Sequence, residues 1–96
     1  MSMTDTIRRK LTDGFAPASL DIEDESARHA GHHGGARAGG ETHFRVRIVA
    51  AAFEGVSRVE RQRRVYAALA DELKTQVHAL VLTVLTPAEA VSRGSR

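Results

Sequence analysis

The chain has 96 residues, of which 42% are hydrophobic and 27% charged, and its formal net charge is +2. This composition is typical of one small globular domain, and the charge is too small to indicate a nucleic-acid-binding protein by itself. The absence of cysteine excludes disulfides, thiol nucleophiles and any metal cluster held by this chain's own thiolates. No run approaches the ~20 apolar residues of a membrane span, so we expect a cytoplasmic protein without membrane contact.

The first elements expected along the chain are a helix and a strand. We expect residues 1–3 to fray, and a helix to begin near Thr4, which can cap it, and to end at Gly14. Residues 20–23 then alternate between apolar and acidic side chains, which predicts the first strand with its two apolar residues facing inward.

Residues 27–41 have the composition of a flexible loop. They include five glycines and no large apolar residue, so they cannot pack, and they join two alternating segments in a long hairpin. The loop also contains His29, His32 and His33. Imidazole suits several transition metals, but adjacent histidines in a flexible loop make a site of low specificity, and incidental polarity is the simpler interpretation of His32 and His33.

The segment over residues 44–85 has the pattern of strand, helix, strand. Residues 43–48 alternate with period two, so the apolar members, beginning with Phe44, share one face of a strand. Residues 77–85 are apolar on both faces apart from His78 and one threonine, which predicts a further strand. Two strands joined by a helix within about 40 residues are typical of a crossover unit with parallel strands.

The helix between these strands has a strong start signal. Ser57 and Glu60 form an S-x-x-E capping box, in which each side chain accepts a hydrogen bond from the other residue's backbone amide. The residues expected to form its buried stripe are Val59, Gln62, Tyr66, Leu69, Ala70 and Leu73. The residues expected on its solvated face are Arg58, Arg61, Arg64, Asp71 and Lys74.

A second capping signature opens the last element. In Thr86-Pro87-Ala88-Glu89 the threonine is the expected N-cap, the proline the first helical residue and the glutamate the reciprocal acceptor. A short helix should follow through about Val91 or Ser92, and residues 92–96 should fray. The order α-β-β-α-β-α over residues 1–96 predicts a single α+β domain, with a three-stranded mixed sheet and helices packed on one face.

The side chains that could carry a function are basic. No nucleophile or phosphate-loop motif is present, so an enzyme is the least favoured function class. The arginines that could together bind phosphates of a nucleic acid are Arg45, Arg47, Arg58, Arg61, Arg63 and Arg64. The alternative is a solvated helix face, because this surface lacks the aromatic stacking platforms used for single strands. His78 is either a packed histidine with one satisfied nitrogen or a ligand.

The motifs resemble those of the BolA family from about Ile7 to Glu89. They are Asp24-Glu25-Ser26, His29, Glu41-Thr42-His43-Phe44-Arg45-Val46, Phe53-Glu54-Gly55, Arg61-Gln62-Arg63, Leu69-Ala70-Asp71-Glu72-Leu73, Val77-His78-Ala79-Leu80 and Thr86-Pro87-Ala88-Glu89. The resemblance implies a fold related to type II KH domains. RNA-binding KH domains use a Gly-x-x-Gly clamp, which residues 55–58 do not supply.

The resemblance also implies a metal-related function. In this hypothesis a non-enzymatic protein pairs with a monothiol glutaredoxin and shares a [2Fe–2S] cluster, in iron–sulfur trafficking or iron sensing. The family's cluster ligands correspond here to His78 and to His29, for which His32 or His33 could substitute. Because this chain has no thiolate, the partner and glutathione would supply cysteine sulfur while this chain supplies imidazole. We expect the apo chain to be a monomer or a weak dimer.

The second function that the resemblance implies is DNA-binding transcriptional regulation of stress, morphology and biofilm genes, for which the arginines would form the contact surface. The sequence departs from the family at three points: Gln62 replaces a frequent histidine, Ala90 replaces a common aromatic residue, and the loop over residues 27–41 is longer. We therefore expect no role for residue 62, weak packing of the last helix and a choice among the loop histidines.

Overall fold

A computed structural model describes residues 2–25 and 43–94, with side chains described through Ser92. The elements in chain order are α1 (Met3–Phe15), β1 (Ser19–Asp24), β2 (His43–Val49), a 3₁₀ turn (Ala51–Phe53), α2 (Arg58–Ala68), α3 (Ala70–Thr75), β3 (Ala79–Leu85) and α4 (Pro87–Gly94). The predicted α+β order is confirmed, with the central helix divided in two. The predicted loop over residues 27–41 lies outside the described residues. Within those residues, no helix combines the length and the apolar character needed to cross a membrane.

The sheet has the order β1-β2-β3 and is mixed, as predicted. β1 pairs antiparallel with β2, where Leu20 lies opposite Ile48. β2 pairs parallel with β3, where His43 lies opposite Ala79. The parallel pair is made possible by the crossover that α2 and α3 provide, because parallel neighbours need a long connection.

The core lies between one face of the sheet and the helices. Phe44, Val46 and Ile48 of β2 are at most 1% exposed and face α1 and α2, as their alternation predicts. The helical residues buried against them include Met3, Ile7, Leu11, Val65 and Leu69. Burying a side chain of this size stabilises a fold by roughly 1.5–3 kcal/mol. The other face of β2 carries Arg45 and Arg47, and we call it the open face.

The first helix is longer at both ends than expected. Ser2 is its N-cap and accepts a hydrogen bond from the Asp5 amide at 3.1 Å, and Met3 is buried, so these two residues do not fray. The helix ends at Phe15 rather than at Gly14, and its C-cap Ala16 has a left-handed conformation with φ 46°. Continuing through Phe15 places that ring 5.0 Å from the ring of Phe53, a contact that offsets the cost of a left-handed alanine.

The central helix buries a different face from the one expected. Its first half buries Arg61 and Val65, whereas Val59 is 62% and Tyr66 38% exposed. The expected stripe is therefore wrong in the first half and at Ala70, which is exposed, although Leu69 is fully buried as predicted. The helix breaks at Leu69, whose φ of −107° and ψ of 19° separate α2 from α3.

The helix ends otherwise follow the capping signals. Ser57 Oγ accepts from the Glu60 amide at 3.2 Å, as predicted, but the Glu60 carboxylate reaches Arg64 at 3.3 Å instead of completing the box. Gly55 has a φ of 76°, which suits the turn expected there. At the last helix, α4 continues to Gly94 and does not fray at Ser92.

Candidate functional site

Two histidines lie at the end of the sheet where β2 and β3 begin, and we call this the histidine end of the sheet. His43 is the first residue of β2, and His78 immediately precedes Ala79, the first residue of β3. Because the strands are parallel and His43 lies opposite Ala79, both histidines are at the same end of the sheet. Both side chains are exposed.

His78 is held by a rigid turn at the end of α3. The amides of Gln76 and Val77 both donate to the Glu72 carbonyl, at 3.0 and 2.9 Å. Val77 is only 5% exposed, so the residue before His78 is anchored in the core. The Glu72 carboxylate also pairs with Lys10 at 2.8 Å, which fastens α3 to α1. The backbone on both sides of His78 is therefore fixed while its side chain faces solvent.

His43 is fixed by strand pairing. Its carbonyl accepts from the Glu25 amide at 2.8 Å, and the next residue, Phe44, is 1% exposed. The alternation over residues 43–48 puts His43 on the solvent-facing side of the strand and by itself predicts no role for it. The parallel strands expected for the crossover unit were the signal that could have placed it at the same end of the sheet as His78. His29, His32 and His33 lie outside the described residues.

The donor set at the histidine end is incomplete for a metal ion. Among residues 2–25 and 43–94, no group of three or more histidine, cysteine, aspartate or glutamate side chains could hold a metal. Neutral imidazole is a ligand for zinc, iron, copper and nickel. The two exposed histidines can thus supply part of a coordination sphere, and the remaining ligands must come from elsewhere.

The opposite end of the sheet, where β3 meets α4, is occupied by an internal arginine. Arg61 is 8% exposed in its side chain, and its Nε donates to the Val56 carbonyl at 2.9 Å. Its Nη1 donates to the Val84 carbonyl at 3.2 Å and to Glu89 Oε1 at 2.7 Å, and its Nη2 donates to Glu89 Oε2 at 3.3 Å. We call this network the locked end.

Glu89 completes the locked end. The hydrogen bonds from Arg61, followed by that from the Thr86 amide, lower the pKa of Glu89 from 4.5 to about 2. The predicted capping box is confirmed, because Thr86 N donates to Glu89 Oε1 at 3.0 Å and Glu89 N to Thr86 Oγ1 at 3.2 Å. The guanidinium of Arg61 is engaged by these protein acceptors, so its expected place on a solvated phosphate-binding face is corrected.

The other predicted arginines form two groups on opposite sides of the sheet. On the open face, Arg45 Nε donates to Glu25 Oε2 at 2.8 Å, which raises the pKa of Arg45, and Arg47 lies opposite Asp21 of β1. The second group, Arg58, Arg63 and Arg64, is exposed on α2, which packs against the other face. The six arginines therefore do not form one continuous surface.

Comparison with known proteins gives one consistent result. The family model described as BolA-like protein matches residues 11–89. The chain is 50% identical over 86 residues to SufE-like protein 1, chloroplastic/mitochondrial, of Arabidopsis thaliana, covering 86% of this chain and 23% of that protein. It is 46% identical over 83 residues to human BolA-like protein 1, covering 86% of this chain and 57% of that protein. The chain thus spans about a quarter and about half of the lengths of these two relatives.

Solved structures give the same picture of the fold. BolA1 from Arabidopsis thaliana superposes with a TM-score of 0.80 at 40% identity, over 93% of this chain and 96% of that one. The BolA domain of SufE1 from the same plant gives a TM-score of 0.78 at 47% identity with the same coverage. Because organellar proteins are among these relatives, the expected cytoplasmic location stays a prediction.

Proposed function

This chain belongs to the BolA family, and from that premise we propose that it is a non-enzymatic partner of a monothiol glutaredoxin. In this proposal the two proteins share a [2Fe–2S] cluster in iron–sulfur trafficking or iron sensing. The partner and glutathione provide the thiolates, since this chain contains no cysteine. This chain provides imidazole.

The observation that supports the proposal is the exposure of His78 on a fixed backbone. A histidine kept for packing would be buried and hydrogen-bonded, whereas this side chain faces solvent between the buried Val77 and the paired Ala79. Fixing the backbone lowers the entropy lost when the ring binds a metal. The donor set also fits a shared cluster, because two irons bridged between proteins need only part of their ligands from each chain.

The second ligand is drawn from the loop or from β2. We propose His29, with His32 or His33 as substitutes, and the parallel register adds His43 as a candidate within the described residues. Histidine in place of thiolate raises the reduction potential of a [2Fe–2S] centre and makes its ligation sensitive to protonation.

The decisive experiment is a titration of this protein with a glutaredoxin carrying its cluster, followed by visible circular dichroism. His78→Ala should abolish the mixed-complex spectrum and leave that of the all-thiolate glutaredoxin homodimer. Gln76→Ala, an exposed position two residues earlier, is the matched control and should behave as wild type. A wild-type mixed-complex spectrum from the His78→Ala protein would contradict the proposal.

The second ligand can be assigned with the same titration. His29→Ala should have a milder effect than His78→Ala, because His32 or His33 can take its place. If His43 is the second ligand, His43→Ala should reproduce the loss seen with His78→Ala while the triple substitution of the loop histidines leaves the spectrum unchanged.

DNA binding is the second candidate, and it is favoured by one relative. The protein named DNA-binding transcriptional regulator BolA of Haemophilus influenzae is 38% identical over 89 residues, covering 93% of this chain and 82% of that protein. On this chain the exposed Arg58, Arg63 and Arg64 of α2 are the better contacts, since Arg61 is engaged by Glu89. Substituting both Arg63→Ala and Arg64→Ala should reduce the slope of log duplex affinity against log salt concentration by about 1–2. An unchanged slope would show that α2 does not contact the DNA.

A further inference from the structure

β3 is an edge strand whose sequence lacks the usual protection against pairing. It lies at one side of the sheet, and Ala79–Leu85 contains no charged residue and no proline. Natural edge strands are commonly protected by lysine, proline, bulges or a covering element. An uncharged edge of this length presents backbone donors and acceptors with which an additional strand can pair.

Only part of this edge is capped by side chains. The Leu85 carbonyl is on the inner side of β3, where it accepts from the Ala50 amide, so Leu80, Leu82 and Val84 direct their backbone groups outward. Tyr66 Oη donates to the Leu80 carbonyl at 3.5 Å, and Arg61 donates to that of Val84 at 3.2 Å. Among the described residues no side chain caps Leu82, so the middle of the edge keeps its donor and its acceptor.

A groove runs beside this uncapped position. Its cavity of about 180 Å³ is lined by Arg58, Arg61 and Gln62 of α2 and by residues 82–85 of β3. We call it the edge groove. Two of the large hydrophobic residues exposed in the described part of the chain lie beside this edge: Val81 precedes Leu82 on the strand, and the Tyr66 hydroxyl reaches the Leu80 carbonyl. Exposed apolar side chains next to an open strand edge are typical of a protein-binding surface.

The position of α2 decides which kind of strand can enter. Arg61 and Tyr66 reach β3 from α2 and cap the edge on either side of Leu82. Because the Leu80 and Val84 carbonyls already accept from these side chains, a new strand can pair with β3 only around Leu82. A second copy would present an edge capped in the same way at both sides of its own Leu82. A single extended chain whose backbone groups are free fits this short open stretch better.

The charge at the edge groove defines the chemistry of that chain. The guanidinium of Arg61 is engaged by Glu89, whereas Arg58 is exposed at the groove and also borders Glu89 on α4. The strand itself offers apolar side chains. We propose that the edge groove binds an extended peptide segment of a partner protein, which adds a strand at Leu82, places apolar side chains against Val81 and Tyr66, and carries an acidic residue opposite Arg58.

Peptide binding can be tested by amide exchange at β3 measured by NMR. In the free protein the Leu82 amide should exchange at least about tenfold faster than that of Thr83, which bonds to β2. Short random peptides selected from a display library against the whole protein should include binders that are extended and acidic at one end. Adding such a peptide should slow exchange at Leu82 about tenfold and leave Thr83 unchanged.

Variants and a second ligand class make the test decisive. Arg58→Glu should weaken the selected peptide about tenfold, whereas Arg9→Glu, the same charge change on the exposed surface of α1, should not. A peptide with proline at the position facing Leu82 should lose protection of that amide. The proposal is overturned if no selected peptide slows Leu82, if its amide is already protected in the free protein, or if a single-stranded oligonucleotide protects it and peptides do not.

Discussion

The two ends of the same three-stranded sheet use their polar side chains in opposite ways. At the locked end, Arg61 is 8% exposed and donates to Val56, Val84 and Glu89, which joins α2, β3 and α4. At the histidine end, His43 and His78 are exposed although their backbones are fixed. At the locked end the Arg61 guanidinium donates its hydrogen bonds within the fold, whereas at the histidine end the imidazoles face solvent.

This difference teaches how to separate structural from functional polar residues in a small domain. Arginine is the more conspicuous binding residue in the sequence, yet the geometry assigns Arg61 to internal carbonyl and carboxylate acceptors. A guanidinium buried with a carboxylate must keep its partners, because losing them leaves an uncompensated charge. An exposed side chain on a rigid backbone carries no such constraint, so its identity is open to selection for ligand binding.

The largest expected effect on stability comes from breaking the locked end. Arg61→Ala removes the donor shared by three elements and leaves the Val84 carbonyl without it, so the free energy of unfolding should fall by about 2–4 kcal/mol. Arg63→Ala is the matched control, since Arg63 is 73% exposed and lies 3.6 Å from Glu60, and should change stability by less than about 0.5 kcal/mol. Denaturant melts measure both values, and equal effects would show that the locked end does not stabilise the fold.

The helix caps at the locked end could be predicted from the sequence, but its central contact between Arg61 and Glu89 could not. The caps at Ser57 and Thr86 follow from local spacing, since each involves residues three positions apart. Arg61 and Glu89 are 28 positions apart, and no local pattern predicts their pairing. Treating Arg61 as solvated also shifted the expected buried stripe of α2 onto Val59.

The histidine end shows a similar limit. The exposed His78 was singled out because it interrupts an apolar strand. His43 was not, because its place at the same end of the sheet depends on the register of two strands separated by a helix. Local periodicity predicts which residues form a strand and which face they share, whereas register between distant strands is set by packing of the whole sheet.

The second prediction concerns acid and the Glu89 carboxylate. Because the folded state lowers the pKa of Glu89 from 4.5 to about 2, its ionised form stabilises the fold. That contribution is fully present above about pH 4.5 and is lost as pH falls toward about 2. The difference in unfolding free energy between wild type and Glu89→Gln should therefore shrink across this window. A difference that stays constant with pH would show that the Glu89 carboxylate is not ionised preferentially in the folded protein.

The third prediction compares the stability contributed by the helix cap at Ser57 with that contributed by the Arg61 network. Ser57 Oγ accepts from the Glu60 amide at the start of α2, so Ser57→Ala should cost about 1 kcal/mol, less than Arg61→Ala. Ser57→Asp keeps an acceptor at the same position and should restore most of the loss. Thermal melts of the three proteins measure the order, and a destabilised aspartate variant would show that the serine acts in another way.

The smallest expected change in stability is at the histidine end. The His78 side chain is exposed, so His78→Ala should change the free energy of unfolding by less than about 0.5 kcal/mol. A histidine with a buried hydrogen bond would instead cost of order 1–3 kcal/mol. Val77→Ala is the adjacent control, because Val77 is 5% exposed and its truncation should cost about 1–2 kcal/mol.

These two neighbouring substitutions also distinguish an effect on stability from an effect on ligand binding. Val77→Ala should lower the melting point while the folded fraction still gives the mixed glutaredoxin spectrum, since the imidazole remains. His78→Ala should leave the melting point near wild type while that spectrum disappears. If His78→Ala instead lowers the melting point as much as Val77→Ala and the spectrum survives, the imidazole is part of the fold, and the contrast between the two ends of the sheet fails at His78.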